Sequence, residues 1–166
     1  MTGLDVAYVP TPKTIVRQML LLARLRRGEI LYDLGAGDGR ILIEGARGFG
    51  AKCIGVELDH ERVARIRERL AVTKVEAKII EGNFMDVDLS DADVIAIYLS
   101  ESVNARLAPK LSAELKTGAR VVSLDYPLPD WRLEKKGEVT SAGLRRQIYL
   151  YRAQYDIKRP NPRGPD

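Results

Sequence analysis

The stretch Ile30-Leu31-Tyr32-Asp33-Leu34-Gly35-Ala36-Gly37-Asp38-Gly39-Arg40 decides the fold. Its first half is a short apolar run of the kind buried in a sheet. Its second half is a turn rich in glycine, and residues 41–47 then read as helix. A helix that starts this way presents unpaired N–H groups to a carboxylate or phosphate. A dinucleotide fingerprint, G-x-G-x-x-G, would need its third glycine at position 40, where the chain has Arg40. The spacing present is G-x-G-x-G, with Asp33 two residues ahead of the first glycine. A pyrophosphate has no use for that carboxylate, whereas a ligand bearing an ammonium group does. A tight turn without a ligand is the alternative; the strand–loop–helix setting favours a bound one.

Outward from this junction the same alternation repeats. Residues 52–57, 77–80, 93–98 and 120–125 read as strands. Residues 61–71 are amphipathic, with Val63, Ile66 and Leu70 inward and Arg62, Arg65 and Arg69 outward. Residues 102–116 are helical, with a break or restart expected at Pro109 and a stop at Gly118. Upstream, Thr11-Pro12 predicts a helix start, the Thr11 hydroxyl capping and the proline in the first turn. Val16, Met19, Leu20 and Ala23 then share a face, and Gly28 closes the segment. At the other end, residues 131–139 and 145–152 predict antiparallel strands around Ser141-Ala142-Gly143. Residues 159–166 hold three prolines and a glycine and predict a disordered tail. The whole predicts an α/β fold: an open, mainly parallel seven-stranded sheet, an antiparallel C-terminal hairpin, and helices on both faces. One domain is expected over residues 1–158.

Composition narrows the chemistry. The 166 residues are 45% hydrophobic, 30% charged and 6% aromatic, enough for one core and not a disordered chain. The apolar runs, residues 19–23 among them, are too short to span a bilayer. The N-terminus has neither a basic lead-in nor a long apolar stretch, so a cytoplasmic protein is expected. One cysteine, Cys53, excludes an internal disulfide framework. One histidine, His60, excludes a His/Cys zinc site, and also nucleophile systems that pair a histidine with cysteine or serine unless His60 itself serves. No metal is expected. The chemistry must come from backbone groups, carboxylates, tyrosines and a cofactor. A net charge of +4 is no nucleic-acid signature by itself. Three Asn, three Gln and interspersed charges resemble heat-stable proteins and predict a thermophilic source.

In such sheets a ligand lies beyond the carboxyl ends of the strands, which points to residues 33–40, 57–59, 81–86 and 98–104. Glu57, twenty positions after Gly37, can accept hydrogen bonds from both ribose hydroxyls, or be a solvated strand end. Asp59 reads as the cap of the next helix. Asn83 can bond an adenine edge and Phe84 can lie on the ring face; as turn residues they are otherwise generic.

Taken together, the loop at 33–39, Glu57, Gly82-Asn83 and the strand at 93–98 resemble a class I S-adenosylmethionine-dependent methyltransferase. Tyr8-Val9-Pro10-Thr11-Pro12, Gly55-Val56-Glu57, Val103-Asn104 and Pro109-Lys110-Leu111 narrow the resemblance to the small archaeal protein lysine methyltransferases. Those are related in fold to the Dot1 histone methyltransferases and the mitochondrial FAM173-type enzymes. The resemblance implies a Rossmann-like fold, S-adenosylmethionine as cofactor and S-adenosylhomocysteine as product. It implies that residues 1–28 form a lid segment and helix, with Tyr8, Pro10 and Thr11 over the methionine end of the cofactor. Asp33 and Gly35 hold its amino-acid part, with Leu34, Ala36 and Gly37 beside them; Glu57 and Leu58 take the ribose side, Asn83 and Phe84 the adenine. Tyr98 faces the methyl group. The chain departs from adenine-methylating enzymes, which carry Asn/Asp-Pro-Pro-Tyr where this sequence has Ile97-Tyr98-Leu99-Ser100.

The implied reaction asks little covalent work of the protein, because a sulfonium methyl is already activated; alignment and water exclusion suffice. A lysine nucleophile, with a free pKa of about 10.4, must enter neutral, and a narrow apolar channel favours that form without a general base. Tyr8 and Tyr98 are the expected channel walls, packed tyrosines the alternative. Loose specificity for exposed lysines is expected, DNA-bound basic proteins and the enzyme itself included, in a monomeric protein with no membrane partner. The acidic stretch 86–93 could attract lysine-rich segments or be a solvated loop. Lys135, Lys136, Arg145 and Arg146 could bring in nucleic acid or simply protect an edge strand. An RNA or small-molecule acceptor stays open, because a fold does not name its acceptor.

Overall fold

Alternating apolar runs and amphipathic segments bury their faces as layers in the computed structural model, which describes residues 11–154. In chain order these are α1 (Lys13–Leu22), β1 (Ile30–Leu34), α2 (Arg40–Phe49), β2 (Lys52–Glu57), α3 (His60–Thr73), β3 (Lys78–Glu81), β4 (Val94–Ile97), α4 (Glu101–Glu114), β5 (Arg120–Leu124), β6 (Leu133–Ser141) and β7 (Leu144–Arg152). One sheet runs β3-β2-β1-β4-β5-β7-β6, parallel except that β7 runs antiparallel to both neighbours. The β6–β7 turn is two residues, Ala142 and Gly143, both at positive φ, which matches the twist of the hairpin. The tail at 159–166, Tyr8 and Pro10 lie outside the described residues. No described helix is long and apolar enough to cross a membrane.

Strand alternation divides the core in two. Leu31, Cys53, Val94, Ala96, Val122 and Leu150 face α1, α2 and α3. Tyr32, Leu34, Val56, Ile95, Ile97 and Val121 face α4 through Val103, Leu107 and Leu111. Strand order reverses between β1 and β4, so a crevice opens there beyond the strand ends, at the glycine turn.

Three expectations are corrected. Pro12, not Thr11, is the N-cap of α1, and no side-chain hydroxyl caps it; Thr11 is buried and acts through its carbonyl, which accepts from Arg40 Nη1 at 2.5 Å. The helix also ends well before Gly28. Arg24 turns left-handed (φ 53°), returning Leu25 to the core, where its N–H meets the Leu20 carbonyl at 3.1 Å. Finally, α4 runs unbroken through Pro109. The missing N–H leaves the Ala105 carbonyl without its intrahelical partner, but Ala105 is exposed and water can serve, while Val103, Leu107, Ala108 and Leu111 hold the opposite face on the sheet.

Candidate active site

Asp33 sits next to last in β1, in register with Gly55 of β2 and Ala96 of β4, so neither neighbouring strand brings it a polar partner. Its carboxylate is 3% exposed, and no hydrogen bond or ion pair reaches it from the described residues. Burial, then the charges of Glu57 and Asp38, push it well above the ordinary carboxylate range. An unpaired buried acid is costly, and a cation delivered into the crevice would relieve it.

The turn that follows is built for close approach. Gly35 has φ 82°, and a Cβ there would lie 3.3 Å from Leu99 Cδ2, at the end of β4. Gly35 and Ala36 both donate to the Val56 carbonyl, at 2.8 and 3.0 Å. Gly37 donates to Glu57 Oε2 at 2.9 Å, while Oε1 accepts from Asp59 N at 3.1 Å and lies 3.7 Å from Arg62 Nη1. Glu57 is thus 4% exposed and oriented by the backbone, with lone pairs to spare for further donors. Gly39 caps α2 in the left-handed region, and Asp38 is gripped by Arg40 and Arg69, each within 3.0 Å. Arg40, which takes the place of a third glycine, therefore ties the turn to the Thr11 backbone.

Around this polar centre the strand ends present apolar surface. Leu58 after β2, Met85 after β3 and Tyr126 after β5 are all exposed, and Phe84 is half-buried against the core. Asn83 Oδ1 accepts from Met85 N at 2.9 Å, which shapes a short 3-10 turn (Phe84–Asp86) and leaves the amide nitrogen to donate. Asp59 caps α3 through Arg62 N, as expected. Exposed His60 lies 2.7 Å from Glu81 Oε1, beside the same rim.

A matching family model, the ANTKMT methyltransferase domain, covers residues 33–135. A protein-lysine N-methyltransferase of Saccharolobus islandicus (strain REY15A) is 43% identical over 152 residues, 88% of this chain and 92% of that one. The chain belongs to the ANTKMT methyltransferase family. It is an S-adenosylmethionine-dependent methyltransferase of Rossmann-like fold. The adenine nucleotide translocase lysine N-methyltransferase of Mus musculus is 36% identical over 78% of this chain, which spans 57% of that relative's length. Among solved structures, the RNA methyltransferase of Salinibacter ruber in complex with S-adenosylhomocysteine superposes with a TM-score of 0.83, at 36% identity over 92% of this chain and 98% of that one.

The donor set fits that cofactor on the methyltransferase's own geometry. The unpartnered Asp33 carboxylate suits an ammonium, Glu57 a pair of hydroxyls, and the Leu58–Phe84–Met85 surface an aromatic ring. Leu34 and Ala36 are buried beneath the turn, and Thr11 is close by through Arg40. Tyr98 directly follows β4 and is half-buried against the core cluster that holds Ala96.

Two surface alternatives are narrowed. The acidic stretch does not line the crevice beyond Asp86. Asp91 accepts from Tyr32 Oη at 2.8 Å and Asp93 from Ile30 N at 2.8 Å, both at the opposite, N-terminal edge of the sheet. Nor is the basic hairpin uniformly free. Arg146 pairs with Asp125 at 2.6 Å, and Lys136 lies over the Tyr149 ring at 5.4 Å. Asn104, to which its place in the Val103-Asn104 pair gave no role, is fully buried, and its Nδ2 meets Ser123 Oγ and the carbonyls of Tyr126 and Pro127 at 3.1–3.4 Å. Its signal was a polar side chain within the apolar stripe of Val103, Leu107, Ala108 and Leu111.

Proposed function

We propose that the methyltransferase acts on the ε-amine of exposed lysines in proteins, DNA-bound basic proteins and its own chain among them, with loose specificity. The observation that carries this is the near full-length likeness to a relative named protein-lysine N-methyltransferase. The geometry supports it through Tyr98, a half-buried ring at the carboxyl end of β4, beside the switch point, that can wall a narrow approach to the donor.

In this reading Asp33 takes the ammonium of S-adenosylmethionine, Glu57 the ribose hydroxyls, and Asn83 and Phe84 the adenine. Leu34, Gly35, Ala36 and Gly37 form the floor, with Thr11 and Leu58 around the edge; the sequence resemblance assigns Tyr8 and Pro10, outside the described residues, to the methionine end. When bound, the group supplies a methyl already activated by its sulfonium sulfur. Tyr98 and Tyr8 align the nucleophile and exclude water. The low-polarity approach favours the neutral amine, so the lysine proton is lost to solvent and no side chain need act as base.

A second reading, an RNA acceptor, is favoured by the likeness to the RNA methyltransferase of Salinibacter ruber and by exposed Arg145 and Lys135 on the hairpin. Incubation with labelled donor and cell extract separates the two. Label in protease-sensitive, ribonuclease-resistant material, mapped to lysine by mass spectrometry, supports the lysine reading. Label lost to ribonuclease alone contradicts it.

A further inference from the structure

We propose that Arg146 and Asp125 are positioning residues for the acceptor side of the crevice: they hold the Tyr98 ring where an incoming nucleophile meets the donor methyl in line. This rests on the reading of Tyr98 as a channel wall.

Two groups pack on that ring. The Arg146 guanidinium carbon stands 5.0 Å from its centroid, and the Tyr126 ring lies 6.5 Å away, 16° from parallel. Both are themselves anchored. Arg146 Nε and Nη2 each approach Asp125 Oδ2 to 2.6 Å, and the arginine side chain is only 15% exposed. The Tyr126 carbonyl is gripped by Ser123 Oγ at 2.5 Å and by Asn104 Nδ2 at 3.1 Å.

The backbone is bent to make this possible. Tyr126 N donates to the Leu124 carbonyl at 2.8 Å, closing a three-residue turn whose centre, Asp125, stands at φ 63°. A left-handed aspartate there is strained, and glycine would adopt the turn more cheaply. What glycine could not do is accept from Arg146, and from Gln147 N at 3.1 Å, so the carboxylate fixes β7 against the end of β5. The turn stands at the carboxyl end of β5, the strand next to β4 at the β1–β4 switch point. A half-buried cation seated on an aromatic face, with its counter-ion on a strained turn, fixes one ring at one place.

A double-mutant cycle tests this with poly-L-lysine as acceptor and saturating labelled donor. Arg146→Met is expected to lower kcat about ten-fold, with the KM for poly-L-lysine and the Kd for S-adenosylhomocysteine within two-fold of wild type, and Arg146→Lys to recover part of the loss. In a Tyr98→Leu background, Arg146→Met should cost less than two-fold. A ten-fold loss in both backgrounds, or a loss carried wholly by KM, overturns the positioning role. If Tyr98→Leu alone leaves turnover intact, or wild type transfers nothing to lysine, the underlying reading fails instead. The positioning role is then decided by magnetic resonance of ring-13C-tyrosine protein. Arg146→Met must shift and average the Tyr98 ring signals, and unchanged signals overturn it.

Discussion

The Gly37 N–H donates to Glu57 Oε2 at 2.9 Å, so the last residue of β2 closes the turn that follows β1. One side chain thus shapes the glycine turn and faces the crevice. Glu57→Ala leaves the Gly37 and Asp59 amides without their acceptor. It should lower unfolding free energy by about 1–3 kcal/mol and weaken S-adenosylhomocysteine binding by at least about ten-fold. Denaturant unfolding and calorimetry check the two effects.

Asp33 gives a pH dependence of defined sign. Burial first, then Glu57 and Asp38, raise its folded pKa, so the native protein keeps a proton that the unfolded chain loses near pH 4 (about 3.9). The unfolded state then binds fewer protons, and Asp33 erodes the stability of the ligand-free protein as pH rises from there through the folded pKa. Asp33→Asn removes this slope. It should match wild type near pH 4, unfold at higher denaturant near pH 8, and lose donor binding. A variant less stable than wild type near pH 8 contradicts this.

Helix propensity and packing oppose each other at Gly45 in α2. Alanine would gain about 1 kcal/mol of helix propensity. Its Cβ, however, would lie 2.7 Å from Leu31 Cδ2 and 2.9 Å from Cys53 Sγ, so two buried side chains would have to shift. Overpacking of this kind costs about 1–3 kcal/mol, so Gly45→Ala is expected to destabilise, read as a lower Tm.

Cys53 should be inert. Burial first and the Asp33 charge second push its thiol up to about 12, and its Sγ lies under α2. A thiol reagent near pH 8 should label it only at the rate of unfolding. Rapid labelling of folded protein contradicts this packing.

The glycine turn and its partners were legible because they are local: Asp33, the glycines, Glu57 and Asp59 stand within 27 residues, and each obeys a rule of strand ends or helix starts. β2 matched its expected bounds for the same reason. The packing around Tyr98 was not legible. Asp125, just past β5, meets Arg146 on β7, 21 residues on, and Asn104 meets Tyr126 and Pro127 through a contact between α4 and the loop after β5 with no local motif. Thr11 and Pro109 misled in the opposite way. Capping and proline rules describe isolated helices, and here the contact with Arg40 and the packing of α4 outweighed them.

The central claim is that the buried Asp33 carboxylate takes the ammonium of the donor. Calorimetric titration with S-adenosylhomocysteine and with 5′-methylthioadenosine, which lacks the amino-acid part, tests it. Wild type should bind the first at least about ten-fold more tightly, and Asp33→Asn should abolish that preference. A preference that survives the substitution, or no binding of S-adenosylhomocysteine to wild type, would contradict it.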